Sequence, residues 1–229
     1  MPWIKFRIAV WLLALGLTSP VFAENAEQFN KESFSKANQA LFLSPHFKAV
    51  KQAGQLVYDV LELRDDQTQI KDSVSLDIKF EQQHMLVQST YLSGQRQLWV
   101  PEFTDPEGNP VLMWFLQSDT NEMARQNGGQ WRHFQKYIKL ALENEALYET
   151  VQVPYRGQVY SGVHIHIQPY VNDPERGRFA KPDFVNAYYD FVLAEDIPGG
   201  IYKLAMYVLP KGSSDVNRRI ASRELTLRE

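Results

Sequence analysis

Between Asp72 and Glu81 the chain reads DSVSLDIKFE, in which Val74, Leu76, Ile78 and Phe80 alternate without a slip with Ser75, Asp77, Lys79 and Glu81. Successive side chains of a β-strand point to opposite faces, so a strict period of two makes one apolar and one wet face. A helix would scatter the same residues around its circumference. Such a strand needs pairing partners and a second layer over its apolar face, which commits the chain to a sheet with at least one covered side. The flanks supply partners: LVYDVLEL (Leu56 to Leu63) precedes it, and HMLVQSTYL (His84 to Leu92) follows and turns at Ser93-Gly94 into RQLWVP. Short connections predict an antiparallel meander.

Beyond the turn cluster EFTDPEGNP, the run VLMWFL from Val111 to Leu116 is apolar at every position. That pattern predicts a strand buried on both faces in the middle of a sheet. Asp119 followed by Glu122 then reads as a capping-box helix start, and Gly128-Gly129 as its stop. A second helix is predicted in QWRHFQKYIKLALENEA. Trp131, Phe134, Ile138 and Ala141 form its apolar stripe, while Arg132, Lys136, Lys139 and Glu143 look outward. Period two returns in VQVPYRGQVYSGVHIHIQPYV, a hairpin turning at Arg156-Gly157, then in FVNAYYDFVLAED and in the strand opened by DIPGGIYKLAMYV. RRIASRELTLRE closes the sheet.

At the amino terminus Lys5 and Arg7 precede an apolar run from Ile8 to Leu17, followed by Thr18-Ser19-Pro20 and Val21-Phe22-Ala23. This reads as a secretory signal peptide over residues 1–23, too short in its apolar part for the ~20 residues of a bilayer span. The expected mature protein is periplasmic and not membrane-spanning. Cysteine is absent, which excludes disulfides, thiolate metal sites and cysteine nucleophiles. The formal charge of −3 becomes more negative once Lys5 and Arg7 leave with the leader, which argues against nucleic acid as a partner. Residues 24–54, polar with scattered Phe29, Phe34, Leu41 and Phe42, read as a helical arm ended by Ser44-Pro45.

The predicted fold class is therefore mainly β and antiparallel, with a helical insertion. Residues 55–146 hold the meander and helical pair, and residues 147–229 a sandwich-like region, although 24–229 can also form one unit. In the latter part, Asp196, the Pro198-Gly199-Gly200 corner and Tyr202 resemble the tyrosine corner of immunoglobulin-like sandwiches. In order of elements, length and export signal the chain also resembles the periplasmic lipoprotein carriers. That resemblance implies an alternative architecture, a single curved antiparallel sheet with helices on its concave face, and a lipid or lipoprotein carrier as function.

Chemistry concentrates in SGVHIHIQPYV. Val159, Val163, Ile165 and Ile167 form its apolar set, which leaves Tyr160, His164, His166 and Tyr170 for the other face. His164 and His166 stand about 7 Å apart at ~3.4 Å per residue, close enough to converge on one ion. Zinc takes three or four protein ligands, and His46, His84 and His133 sit singly, so on sequence alone we assign no metal ligand and no cofactor. Asp190, on the polar set of FVNAYYDFVL with Asn186 and Tyr188, faces the histidines if those strands pair. We thus expect a ligand-binding face of Tyr160, His164, His166, Tyr170, Tyr188 and Asp190, rich in rings and hydrogen-bonding groups. No catalytic residue is assigned: there is no GxSxG elbow, no HExxH, no EF-hand spacing and no glycine-rich phosphate loop. The basic stripe Arg132, His133, Lys136 and Lys139 reads as a solvated helix face. The expected function is non-enzymatic binding of a small ligand or an envelope protein, with a metal-dependent hydrolase using His164 and His166 as the alternative. A purely structural assembly factor is the third possibility.

Overall fold

The computed structural model describes residues 34–64, 67–213 and 215–229. The expected signal peptide and the first part of the arm lie outside the described residues. The chain is mainly β and antiparallel, with ten strands among the described residues in one open sheet: β1 (Gly54–Leu63), β2 (Gln69–Glu81), β3 (His84–Tyr91), β4 (Leu98–Trp99), β5 (Phe103–Thr104), β6 (Leu147–Tyr155), β7 (Gln158–Ile167), β8 (Ala187–Leu193), β9 (Ile201–Val208) and β10 (Ala221–Leu227). Their order is β4-β3-β2-β1-β10-β9-β8-β7-β6, with β5 also pairing with β3. Two meanders, β1–β4 and β6–β9, therefore meet at the last strand of the chain. β10 pairs with β1 on one side and β9 on the other.

That join corrects the expected sandwich. β6–β10 do not face a second sheet but continue the first, and the layer over the shared apolar face is helical, as in the single-sheet alternative. In the predicted strand DSVSLDIKFE, Val74, Leu76 and Ile78 are buried as the alternation requires, whereas Phe80, near the strand end, is exposed.

The run VLMWFL is helix, not strand. Helix α2 spans Pro110–Asn127, and α3 spans Trp131–Asn144. The decision is made upstream of the run. The Asn109 side chain accepts from Val111 N at 3.0 Å and Pro110 occupies the first turn, a start in which the missing proline N–H costs nothing. Val111, Leu112, Phe115, Asp119 and Met123 then share the buried stripe while Met113 is exposed. Asp119, expected to open a helix, lies in the middle of this one and inside the core. The stop at Gly128-Gly129 is where the sequence places it, both glycines having positive φ. In α3 the expected stripe holds for Phe134, Ile138 and Ala141, which are buried.

Helix α2 seats on the sheet through rings, Trp114 stacking on Tyr91 at 4.9 Å and Phe115 meeting Phe191 edge-on at 6.4 Å. Phe134 of α3 packs against Tyr170 and Phe179. The arm ends in a short helix α1 (Lys36–Asn38) that widens over Gln39–Leu43 and stops at Ser44. Its Ser35 hydroxyl donates to Leu142 O of α3 at 2.8 Å. Buried His46 clamps the arm to α2, with Nε2 2.9 Å from Ala40 O and Nδ1 accepting from Asn109 N at 3.0 Å. With Nδ1 accepting, the ring is a neutral tether, and burial lowers its pKa, partly offset by the Ala40 carbonyl.

The glycine corner is also held differently from a tyrosine corner. Asn109 Nδ2 donates to Gly199 O at 2.8 Å and to the Tyr58 hydroxyl at 2.9 Å. The tyrosine at this corner is therefore Tyr58 of β1 acting through Asn109, and Tyr202 is only half-buried. A Cβ on Gly199 would come within 2.9 Å of Leu56 Cδ1 and 3.0 Å of the Tyr58 oxygen, which explains why this position is glycine.

Candidate metal centre

Alternation on β7 sends Ile165 and Ile167 into the core, where both are almost completely buried, and turns His164 and His166 to the opposite face. On β8 the same rule buries Tyr189 and Phe191 and turns Tyr188 and Asp190 outward. In register His166 stands opposite Asp190, and His164 opposite Val192. Directly opposed side chains start about 4.5–5.5 Å apart and diagonal ones about 7–8 Å, so one carboxylate reaches both imidazoles.

That is what it does. His164 Nε2 and His166 Nδ1 each lie 2.8 Å from the same atom, Asp190 Oδ1. The three side chains are partly buried, and their ligand atoms all lie within 4.8 Å of one another. Four donors at about 2.0–2.1 Å around zinc stand roughly 3.3 Å apart, so each imidazole nitrogen would move about half an ångström away from the Asp190 oxygen to admit an ion. Each histidine would then exchange a hydrogen bond to Asp190 for a lone pair to the ion.

Neighbours fix the carboxylate. Ala205 of β9 stands opposite Asp190, while Tyr207, two pairs further on opposite Tyr188, sets its hydroxyl against Asp190. Burial, then the charges of Asp190 and Glu224, push the Tyr207 pKa well up, so it remains a hydrogen-bond donor. For Asp190 burial acts upward, but the hydrogen bonds and charges of His166 and His164 outweigh it and hold the carboxyl below its ordinary value. The Tyr188 ring lies 5.3 Å from that of His166 and walls one side. On β6, Glu149 stands opposite His164 in register, at the position from which a further oxygen donor can approach.

Of the six expected binding residues the fold thus gathers His164, His166, Tyr188 and Asp190. Tyr160 is a correction: near the hairpin turn Val159 is exposed, and Tyr160, paired with buried Val153, packs partly against the core, its hydroxyl donating to Gln158 at 2.9 Å and its ring 6.5 Å from that of buried Tyr155. Tyr170 is a correction. Strand β7 ends at Ile167, so the alternation no longer governs Tyr170, which turns into the core against Phe134, Phe179 and Tyr189 and is fully buried. Tyr207 is absent from the expected set because only one parity of IYKLAMYV, that of Tyr202, Leu204, Met206 and Val208, carries the apolar pattern. The other parity, Lys203, Ala205 and Tyr207, shares the face of Asp190, and the strand period alone points to it.

The basic stripe of α3 is partly tied down within the fold. His133 Nε2 lies 2.6 Å from buried Asp173, and the Arg132 guanidinium stacks 4.6 Å over Trp131. No protein-family model matches the chain, and no curated protein matches it either.

Proposed function

We propose that this is an exported periplasmic protein that binds a divalent transition-metal ion, zinc being the best fit, on the outward face of its sheet. One observation carries this reading: two imidazole nitrogens from a single strand converge on one oxygen of Asp190. Imidazole and carboxylate suit zinc and its first-row neighbours. The signal-like residues 1–23 support the periplasmic address.

Three protein ligands leave a coordination position open. We read it as the place where a small ligand or an envelope protein adds its own donor, beside the ring of Tyr188. A water there would have a lowered pKa, and this open position favours metal-dependent hydrolysis as the second reading. The carrier alternative draws no support from the space between sheet and helices, which Tyr58, Tyr91, Phe115, Phe134 and Phe191 fill.

The test is zinc titration of the mature protein by calorimetry, beside the His164→Ala/His166→Ala variant. One equivalent bound by the parent and none by the variant supports the reading; equal behaviour of the two sinks it. Ester and phosphoester hydrolysis by the zinc-loaded protein, lost with the same variant, would move the assignment from binding to catalysis.

A further inference from the structure

The two ends of the sheet are finished differently. At one end β4 and β5 are two residues each and offer a neighbour little to pair with. At the other, β6 runs nine residues and pairs only with β7 among the described residues. Edge strands are ordinarily kept from pairing by shortness, lysines or bulges. LYETVQVPY has no lysine, its register with β7 runs without a bulge, and Pro154 blocks only the far end. Leu147 and Tyr148, at the near end, are 60 % and 38 % exposed.

The hairpin turn fixes which backbone groups are free. Arg156 and Gly157, at φ 49° and 73°, form a two-residue loop of the type I′ kind, which makes Tyr155 and Gln158 a hydrogen-bonded pair. Such pairs alternate along an antiparallel ladder, so Pro154, Gln152, Thr150 and Tyr148 aim their backbone groups away from β7. Proline, which has no N–H to give, fits the first of these positions. The N–H and C=O of Tyr148, Thr150 and Gln152 therefore line the open edge, with no other described backbone group bonded to them.

The side chains of these residues adjoin a groove. Tyr148 and Thr150 stand opposite Ile165 and Val163 on the helical side, and with Pro45, Glu195 and Asp196 they line a cavity of about 280 Å³. No lysine or arginine is among its lining residues. Lys48 meets Glu195 at 3.3 Å, whereas Asp196 and, on the other face of β6, Glu149 are in no ion pair among the described residues.

We infer that the β6 edge takes an extended basic segment of a partner protein as an additional antiparallel strand. Its main chain pairs with Tyr148, Thr150 and Gln152; alternate Lys or Arg side chains enter the groove toward Asp196 and Glu195, and the side chains between them lie beside Leu147. Main-chain pairing supplies affinity in this mode of recognition, and pockets for alternate side chains supply selectivity. A second copy of this chain fits less well, because pairing β6 with itself gathers Glu149, Glu195 and Asp196 with their own duplicates along one seam.

Fluorescence anisotropy with labelled synthetic peptides tests this on the unaltered mature protein. The probe is the capped peptide TKVKVKT, beside a form with glutamate for every lysine and two N-methylated forms, one methylated at the lysine amides and one at the valine amides. Directly opposed residues of an antiparallel pair share a face, so lysines in the groove turn their own amides toward β6. The valine-methylated form should therefore bind within about threefold of the probe, and the lysine-methylated and glutamate forms at least about tenfold more weakly. Glu195→Gln/Asp196→Asn should weaken the probe by about fivefold, as two exposed charge pairs would. His164→Ala/His166→Ala should leave it unchanged, which separates this edge from the metal centre. Equal binding of the two methylated forms, equal binding of the glutamate form, or no binding at millimolar peptide would overturn the proposal. A dimer of the protein itself that shuts out the peptide would overturn it too and give the edge to a second copy.

Discussion

His166 Nδ1 and His164 Nε2 meet at one atom, Asp190 Oδ1, each at 2.8 Å. A single carboxylate oxygen between two imidazoles is what strand register produces when an HxH pair lies beside a strand with an acid opposite its second histidine. If an ion replaces those hydrogen bonds, each ligand matters on its own. His164→Ala, His166→Ala or Asp190→Asn should each abolish tight zinc binding in calorimetric titration. Circular dichroism should show the fold retained, because all three side chains are partly solvent-exposed.

Tyr207 acts on the centre through Asp190. Partners of metal ligands typically contribute 10- to 100-fold to affinity, and Tyr207→Phe removes the hydroxyl while keeping the ring. The expected outcome is zinc affinity lowered by about tenfold with unchanged stoichiometry. Tyr188→Phe, whose ring contact persists, should change affinity much less.

Asp119 makes stability depend on pH in a defined direction. Its folded pKa is raised by burial, while the unfolded carboxyl titrates near the ordinary value of 3.8. Below that value both states hold the proton and the contribution is complete. As pH rises the unfolded chain ionises first, so stability falls until the folded carboxyl ionises as well. Asp119→Asn has no proton to lose and should become increasingly stable relative to the parent as denaturant unfolding is moved from pH 4 to pH 8. Parallel stabilities across that range would show Asp119 to be ionised in the fold.

Much of the sheet was legible because DSVSLDIKFE and its neighbours obey a period of two. VLMWFL was not, because an unbroken apolar run of six is compatible with a buried strand or a buried helix turn. The deciding residues, Asn109 and Pro110, look from sequence like the end of a turn cluster, yet they start the helix. The single sheet was hidden for a different reason: only the pairing of β10 with both β1 and β9 joins the two meanders, and pairing over that sequence separation leaves no local pattern. At the site, alternation located His164, His166, Tyr188 and Asp190. It failed at Tyr170, beyond the last residue of β7, where the rule for strands no longer applied.

Asn109 offers a check on the helix start. It caps α2, and its amide donates to Tyr58 and Gly199. Replacing it by Ala removes the cap and leaves buried acceptors unpaired, for an expected loss of about 2–4 kcal/mol in urea unfolding. Asn109→Asp keeps the cap but not the donors and should fall between.

Strand β10 can be tested by parity. Leu225 is fully buried, and its neighbour Thr226 lies on the outer face opposite Asp59. Leu225→Ala should cost about 2–5 kcal/mol, whereas Thr226→Ala should stay within about 1 kcal/mol of the parent. Equal losses would contradict the register that joins the two halves of the sheet.

The most direct test of the metal centre is spectroscopic. Cobalt(II) added to the mature protein should give one equivalent of a saturable visible absorption band, displaced by zinc and absent from His164→Ala/His166→Ala. A parent protein that shows no such band, or one that the double variant retains, would contradict the assignment of His164, His166 and Asp190 as metal ligands.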